Sequence, residues 1–405
     1  MDYRTDGASF ALTNVIVFDG EQLTDADTVV VRDGLIAGVG AALTVPEDLP
    51  KLDGQGRLLL PGLIDAHVHS ATWFANASLR FGSTTLLEMN GLPSPDEAAA
   101  REDVARDDAA DVWTAGFMIT VPGGHGTQWG GDPPVLESGT DIDGFIDERL
   151  GEGSDFIKLV IEELEETFPT LTPRQVKAVV RAAHNKKRLA MAHIGTWDDA
   201  AVAIDAGIDA LVHAPRNAPI NDRVVSRLAA QSVPVVPTLT LYAAASGQHD
   251  SSTFLDHPQT GPYLDQDQKA AARRTSAGSL WPTWFDDAVA GVTALYEAGV
   301  PILAGTDFAN AGTIPGVSLL HEIKLLQQAG LSDHDALAAA TSRGADLLGL
   351  TDRGRIGPGK RADLILMNVT SIKEVIGSYD IAAIWRNGHF VDRQPVDRAP
   401  SSPHS

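Results

Sequence analysis

Apolar positions are grouped in short runs along the middle of the chain. Each run ends in a Gly, Asp or Pro loop and is followed by a stretch rich in Ala, Glu and Arg with helical spacing. Eight such runs lie at residues 58–69, 83–89, 111–120, 155–160, 188–194, 210–214, 233–239 and 300–307. Buried parallel strands are near-continuous apolar runs, and eight of them alternating with helices predict an α/β fold, a (β/α)8 TIM barrel.

Two long loops are predicted within this barrel, at residues 121–140 and 242–285. The second loop is rich in aromatic residues, which form either an apolar lid over the barrel or an anchor to the barrel wall or another subunit. These residues are His249, His257, Tyr263, Trp281 and Trp284.

Both ends of the chain have a different sequence pattern, which predicts short strands joined by tight turns. Asp-Gly pairs at 19–20 and 33–34 and an Asn-Gly pair at 387–388 are typical of hairpins. Because each end alone would form a marginal sheet, we expect the two to pair into one small β-sandwich domain beside the barrel. The predicted organisation is a β domain from 1–57 and 351–395, a barrel over 58–350 and a disordered tail over 396–405.

The amino-acid composition excludes several kinds of site and several classes of binding partner. The 405 residues include no cysteine, which excludes a disulfide scaffold and a Cys-ligated zinc or iron–sulfur site. Acidic residues exceed basic ones by 54 − 31 = 23, a charge that would repel phosphate backbones and anionic membranes. The longest uncharged stretch, 228–248, contains Pro234 and Pro237, and no secretory signal is visible. We expect a cytoplasmic homo-oligomer that acts on a small molecule and binds neither nucleic acid nor membrane.

Polar side chains fall at the ends of the predicted barrel strands, where barrels carry their active sites. Any one of them could be a hydrogen-bonded core group, but together they would leave several buried polar groups unsatisfied without a cation. Zinc is the first expectation for such a set, with manganese, cobalt or iron as alternatives. The converging residues are His67, His69, Lys158, His193, His213 and Asp307.

The ordered motifs resemble the amidohydrolase superfamily, and more narrowly its imidazolonepropionase-related and prolidase-like members. They are the segment LPGLIDAHVH, the lysine of DFIK, the later single histidines, the aspartate of GTD and the closing GRIGPGKRADLIL. The resemblance implies two divalent cations, one held by His67, His69 and Asp307. It implies that His193 and His213 hold the other, with a carboxylated Lys158 and a hydroxide bridging the pair.

Lys158 is the ligand with the clearest alternative. An ammonium beside two dications would be strongly disfavoured, whereas reaction with carbon dioxide gives an anionic carbamate. Alternatively, Lys158 reaches solvent or pairs with Glu162 or Glu163, which leaves a mononuclear site. The run Glu162, Glu163, Glu165 and Glu166 is otherwise expected to be a solvated helix face, with recognition of a cationic substrate as the alternative. Single-metal deaminases of the superfamily resemble one another in a His-x-x-Glu motif, which is absent after His193.

Asp307 and His125 are the predicted catalytic residues. Asp307 would take a proton from the attacking hydroxide and deliver it to the leaving group, although capping of the next helix is the alternative. His125, in the loop motif GGHG, would donate a hydrogen bond to a carbonyl or oxyanion unless it is a surface turn residue. Prolidase-like relatives often have a tyrosine beyond the sixth-strand histidine, and this chain has none there. Tyr242 could replace it, or Arg216 could bind a substrate carboxylate, if neither is a packing residue.

The predicted function is therefore hydrolysis of a linear or cyclic amide, in a dipeptide or in a non-peptide C–N bond. A metal-bound hydroxide would be the nucleophile, because a cation lowers the pKa of bound water from about 15.7 towards 7. An esterase, lactonase or phosphotriesterase is the enzymatic alternative, since the same site polarises C=O and P=O groups. A non-catalytic metal-binding protein is the alternative from another class.

Overall fold

The computed structural model describes residues 2–92, 95–130, 133–162, 167–248, 252–274 and 283–396, which form an α/β fold. The strands are β1 (Phe10–Val17), β2 (Thr28–Arg32), β3 (Leu35–Gly40), β4 (Lys51–Pro61), β5 (Leu63–Val68), β6 (Ser83–Glu88), β7 (Asp111–Thr114), β8 (Ile157–Val160), β9 (Ala190–His193), β10 (Ala210–Val212), β11 (Val235–Val236), β12 (Leu364–Met367), β13 (Ile381–Arg386) and β14 (His389–Phe390).

Helices separate the strands from β5 onwards. They are α1 (Ala71–Leu79), α2 (Pro95–Ala100), α3 (Ile142–Gly151), α4 (Pro173–Asn185), α5 (Trp197–Ala206), α6 (Asp222–Gln231), α7 (Leu239–Ala245), α8 (Ser252–Leu255), α9 (Gln266–Arg273), α10 (Trp284–Glu297), α11 (Val317–Gln328), α12 (Asp333–Ala339), α13 (Ser342–Leu347) and α14 (Ile372–Val375). Short 3-10 turns lie at Thr127–Trp129 and Gly261–Tyr263. No described helix has the length and apolar character needed to cross a bilayer.

Helix α4 illustrates how local sequence sets these elements. Thr172 accepts a hydrogen bond from the Gln175 amide, and the Gln175 side chain returns one to the Thr172 backbone. This capping box satisfies amide groups that the first helical turn leaves unpaired. Val176, Val179 and Val180 then share one face and are buried, so that face packs against the core.

One seven-stranded sheet contains both ends of the chain, in the order β14-β13-β12-β4-β1-β2-β3. Strand β4 joins the two ends, because it pairs in parallel with β1 and antiparallel with β12, where Pro61 faces Leu364. Trp385 stacks on Phe10 at 5.3 Å in the core beneath. The predicted sandwich is not confirmed, because the described strands of both ends form one seven-stranded sheet.

Two parallel sheets form the centre of the molecule, β5-β6-β7 and β11-β10-β9-β8. Isolated parallel bridges lie between them, Ile119 with Leu159 on one side, and Val235 with Ile302 and Val68 with Phe308 on the other. The predicted eighth run, 300–307, makes only an isolated bridge at Ile302, with another at Phe308 just beyond it, so the described ladders do not close an eight-stranded barrel.

The predicted first strand divides into two at Gly62. Residues before it complete β4 of the terminal sheet, and residues after it form β5 of the central sheet. A side chain at this position would overlap Thr84 and Asp363, so only glycine permits the close approach of the sheets. The range 242–285, predicted as a loop, also contains helices. They are the end of α7, all of α8 and α9, and the first residues of α10.

A buried ionic network joins the terminal sheet to β7. Asp111 Oδ1 lies 2.6 Å from Arg386 Nη2, and Asp111 Oδ2 lies 2.6 Å from Arg353 Nη1. Arg386 also pairs with Asp363 at 2.6 Å. The side chains of Asp111 and Arg386 have no solvent exposure, so each charge depends on its partners.

Candidate active site

A cavity of about 570 Å³ opens at the carboxyl ends of the central parallel strands. His67 lies beneath it and is completely buried. The remaining predicted site residues all line the cavity: His69, His125, Lys158, His193, His213, Arg216, Tyr242 and Asp307. The structure therefore brings together residues from seven separate parts of the sequence.

Asp307 is the centre of the polar cluster. Its Oδ1 lies 2.9 Å from His69 Nε2 and 3.2 Å from His67 Nε2, and its Oδ2 lies 4.0 Å from His213 Nδ1. Ligand atoms of His67, His213 and Asp307 all lie within 4.8 Å of one another. These three residues therefore could hold one metal ion.

Protonation in this cluster follows from burial and from neighbouring charges. Burial lowers the pKa of His67 and of His193 to about 3, which favours the neutral imidazole that ligates metals. Burial also disfavours the charged form of His69, but hydrogen bonds with Asp307 and Glu88 raise its pKa to about 9. Burial opposes ionisation of Asp307 as well, yet the His67 and His69 imidazoles hold its pKa well below the usual value.

Residues behind the cluster hold its histidines in place. Glu88 Oε1 lies 3.7 Å from His69 Nδ1, and its Oε2 accepts the amide of Ala71 at the start of α1. Thr238 Oγ1 lies 2.8 Å from His213 Nδ1. Such partners fix the ring orientation of a metal-binding histidine.

The backbone at four non-glycine positions around the site has positive φ. The values are 55° at Ser70, 74° at His213, 54° at Thr238 and 54° at Asp307. This region is costly for non-glycine residues, above all for a β-branched residue such as Thr238. The surrounding structure therefore holds these residues in place against local preference.

Thr238 depends in turn on Glu322. The Thr238 side chain does not cap helix α7, whose first amides donate instead to the Glu322 carboxylate, from Leu239 at 2.9 Å and from Thr240 at 2.7 Å. The Thr240 hydroxyl donates to the same carboxylate. Glu322 thus leaves the Thr238 hydroxyl available to His213.

Lys158 is buried and lies beside His67, with 3.2 Å between Nζ and Nε2. Burial lowers the pKa of its amine to about 8. The alternative in which Lys158 reaches solvent is contradicted by this burial. The alternative partner Glu162 contacts His193 and Arg216 instead of Lys158. The other alternative partner, Glu163, lies outside the described part of the chain.

Glu162 is a site residue that the sequence analysis missed. It is buried, accepts a hydrogen bond from His193 Nε2 and forms an ion pair with Arg216. The Arg216 guanidinium lies 3.8 Å from the centre of the Trp284 ring. The expected solvated helix face is therefore wrong at Glu162, and its position just after β8 was the available signal. The other three glutamates of that run lie outside the described residues.

His125 lies against the metal-site histidines, with its ring 4.9 Å from that of His193. Burial lowers its pKa to about 3, so the ring is neutral near pH 7. The Gln128 amide lies 3.2 Å from Nδ1, and if it donates there the ring proton is on Nε2. His125 thus lines the cavity beside Trp129, 5.2 Å away.

Tyr242 is buried and donates from its hydroxyl to the Ala214 carbonyl oxygen at 3.1 Å. Burial raises its pKa to about 12, so it stays protonated. Its hydrogen is therefore directed to the backbone in this structure and not to a substrate carbonyl.

The aromatic residues of the predicted lid divide by position. Trp284 lines the cavity. His257 instead packs against Tyr379, and Tyr263 packs against Arg393, both away from the cavity lining. His249 and Trp281 lie outside the described residues.

These residues fit a divalent cation. The cluster joins the ionised carboxylate of Asp307 to the imidazoles of His67 and His213, which burial keeps neutral by lowering their pKa, a donor set that zinc and similar ions accept. His67 Nδ1 is a buried nitrogen without a hydrogen-bond partner among the described residues. Asp307 Oδ1 lies within 3.2 Å of the Nε2 atoms of both His67 and His69, close enough for one cation to bind all three side chains.

Comparison with known proteins gives matches along nearly the whole chain. The amidohydrolase family matches residues 58–391. Imidazolonepropionase from Cereibacter sphaeroides is 27% identical over 403 residues, which cover 92% of this chain and 97% of that protein.

Solved structures share the fold. A Xaa-Pro dipeptidase with bound methionine has a TM-score of 0.74 at 19% identity, covering 95% of this chain and 100% of the other. Molinate hydrolase has a TM-score of 0.73 at 18% identity, covering 99% of each chain.

Proposed function

We propose that this chain, which belongs to the amidohydrolase family, is a binuclear metal-dependent hydrolase of amide bonds. The resemblance inferred from its motifs is confirmed, and the family with its imidazolonepropionase and dipeptidase relatives supports hydrolysis of carbon–nitrogen bonds. The observation that carries the proposal is the convergence of His67, His69 and His213 on Asp307 in a buried cluster.

The same proposal assigns both parallel sheets to one (β/α)8 barrel. The single bridges of Val68 with Phe308, Ile119 with Leu159 and Val235 with Ile302 support it, because they continue the parallel order around the ring. The cavity then lies where barrel enzymes bind substrate, at the carboxyl ends of the strands.

Two cations, zinc as the first candidate, would be held by separate groups of residues. His67, His69 and Asp307 would hold one, and His193 with His213 the other. Lys158, converted to a carbamate, would bridge them, and its buried position beside His67 supports this role. Binding at His193 Nε2 would require Glu162 to give up its hydrogen bond there.

When bound, such cations would activate water as a nucleophile near neutral pH and polarise the scissile carbonyl. Asp307 would accept the proton of that water through its carboxylate and pass it to the leaving nitrogen. His125 would donate a hydrogen bond to the oxygen on which charge develops. Glu88 and Thr238 would keep His69 and His213 in ligating orientation.

The test combines metal analysis with a substrate panel. Protein loaded with zinc, manganese or cobalt is assayed on linear amides, cyclic amides, lactones and phosphotriesters. We expect amide turnover, and we expect Asp307→Asn to abolish it while circular dichroism stays unchanged. Asp267→Asn, an exposed change on α9, is the matched control and should keep full activity.

Faster turnover of lactones or phosphotriesters than of any amide would replace the proposed reaction with the esterase or phosphotriesterase alternative. Full activity in Asp307→Asn would remove the proposed proton carrier. Complete inactivity of every metal-loaded form would favour a metal-binding protein.

A further inference from the structure

The one cationic side chain on the outer wall of the described cavity is already neutralised. Arg216 is buried and forms an ion pair with the equally buried Glu162. One face of its guanidinium is covered by Trp284 at 3.8 Å. A substrate carboxylate at this position would have to displace Glu162, and the displaced glutamate would become a buried unpaired charge.

The chain is built to keep this ion pair in place. Gly195 lies directly against it, and a β-carbon there would overlap both the guanidinium and the Glu162 carboxylate. The Arg216 amide also donates to the Gly195 carbonyl at 2.9 Å, which fixes the backbone next to the pair. Glu162 also contacts His193, and ligation of a cation by His193 Nε2 would leave Arg216 as its charged partner.

Apart from the proposed metal centre, the described cavity wall offers no further lysine or arginine to a substrate carboxylate. Lys158 and His69 also line the cavity, but the proposed function uses both as metal ligands, and Lys158 lies beside His67. The internal segments outside the described residues, at 93–94, 131–132, 163–166, 249–251 and 275–282, contain no lysine or arginine. The protein as a whole carries a net charge of −23, which also disfavours anionic substrates.

The remainder of the wall is largely apolar. Substrate-sized cavities of this kind bind through apolar surface and take orientation from a few polar groups. Here the polar groups are the metal-site residues, His125 and the uncharged side chains of Ser70, Asn90 and Asn310. The apolar lining includes Met118, Trp129, Leu241, Tyr242, Ala245 and Trp284.

We infer that the amide substrate is uncharged next to the scissile bond and has an aromatic or aliphatic group there in place of a carboxylate. The inference rests on the proposed function, because it names the substrate class of the same site. It assigns Arg216 to the cavity wall, where its pairing with Glu162 excludes anionic substrates.

The test uses two amides that differ by one carboxylate, N-benzoylpyrrolidine and N-benzoylproline. Zinc-loaded protein is assayed for kcat/KM on both. We expect the neutral amide to be preferred at least about 30-fold, because the carboxylate would be desolvated without a free cationic partner. Equal values, or preference for N-benzoylproline, would overturn the inference, and this comparison requires no variant to fold.

Glu162→Gln then tests the cause. The amide keeps the size of the side chain but removes its charge, so Arg216 should become able to bind a carboxylate, and the preference should fall at least about tenfold. The matched control is Glu152→Gln, which makes the same change at an exposed glutamate that pairs with Arg149 outside the cavity lining, and it should keep the wild-type preference. A folded Glu162→Gln protein with an unchanged preference would contradict the role of the ion pair.

Failure of the proposed function gives a different result from failure of this inference. If neither amide is hydrolysed, the proposed hydrolysis fails, and dissociation constants of the two compounds are compared by calorimetric titration of the zinc-loaded protein. Tighter binding of N-benzoylpyrrolidine would then support the neutral-ligand cavity. Equal or tighter binding of N-benzoylproline would overturn it.

Discussion

Replacing Asp111 by asparagine should destabilise the protein strongly without touching the cavity. Asp111 has no solvent exposure, and its two oxygens each lie 2.6 Å from an arginine, Arg386 on one side and Arg353 on the other. The amide cannot neutralise either cation, so positive charge would remain buried at the contact between β7 and the terminal sheet.

The size of the effect follows from the cost of breaking a buried ion pair from one side, about 3–5 kcal/mol. Unfolding entropy is about 2.1 cal/mol/K per residue, or about 0.85 kcal/mol/K for 405 residues. Dividing this free-energy cost by the unfolding entropy predicts a decrease in melting temperature of about 4–6 °C.

Calorimetry or circular dichroism at a fixed scan rate measures this shift. The control is Asp48→Asn, the same chemical change in the exposed pair with Arg32, whose nitrogen and oxygen are 3.0 Å apart. Solvent screens that pair, so no measurable shift is expected. A shift in Asp111→Asn no larger than in this control would refute the reasoning from burial.

Three further outcomes are expected. Lys158→Ala should lose one metal equivalent by elemental analysis, and unchanged stoichiometry would show that Lys158 bridges nothing. His125→Ala should lower kcat by about 10²- to 10³-fold at unchanged metal content, and a full-rate variant would make His125 a packing residue. Burial raises the pKa of Glu322 from 4.5 to about 7, so the unfolded chain ionises first and stability decreases as pH rises from about 4.5 to 7. Glu322→Gln should weaken this decrease, which melting curves at pH 5 and pH 8 would reveal, and an unchanged slope would contradict it.

The sequence located the chemistry of the site better than its supporting residues. His67, Lys158 and His213 were predictable because polar groups are rare in apolar strands, and each stands out at a strand end. Glu88 carries the same signal at the end of β6. Thr238 carries none, because its partnership with His213 depends on tertiary packing.

The charge pattern of the sequence does not show whether a charged side chain is solvated or buried in an ion pair. Glu162 begins an acidic run, which is ordinarily solvated, and only the positions of His193 and Arg216 show that it is buried and paired. Arg216 was an open choice between substrate binding and packing for the same reason. Side-chain pairing across 54 residues has no local signature.

Sheet membership was predictable only in part. Apolar runs identified β6, β8 and β9, but a run cannot show which sheet it joins, and residues 58–69 contribute to two. The ends of the chain were expected to pair, yet their strands extend one sheet, because β4 has β1 on one edge and β12 on the other.

The position of β4 has a consequence for biosynthesis. Its outer edge can be covered only after Leu364–Met367 has left the ribosome, when the central strands have already been made. Until then Leu59 and Leu60 lie on an open edge that other nascent chains could join. Addition of the last strands is therefore a late step of folding. Variants that slow this step would aggregate even when every residue of the cavity is unchanged.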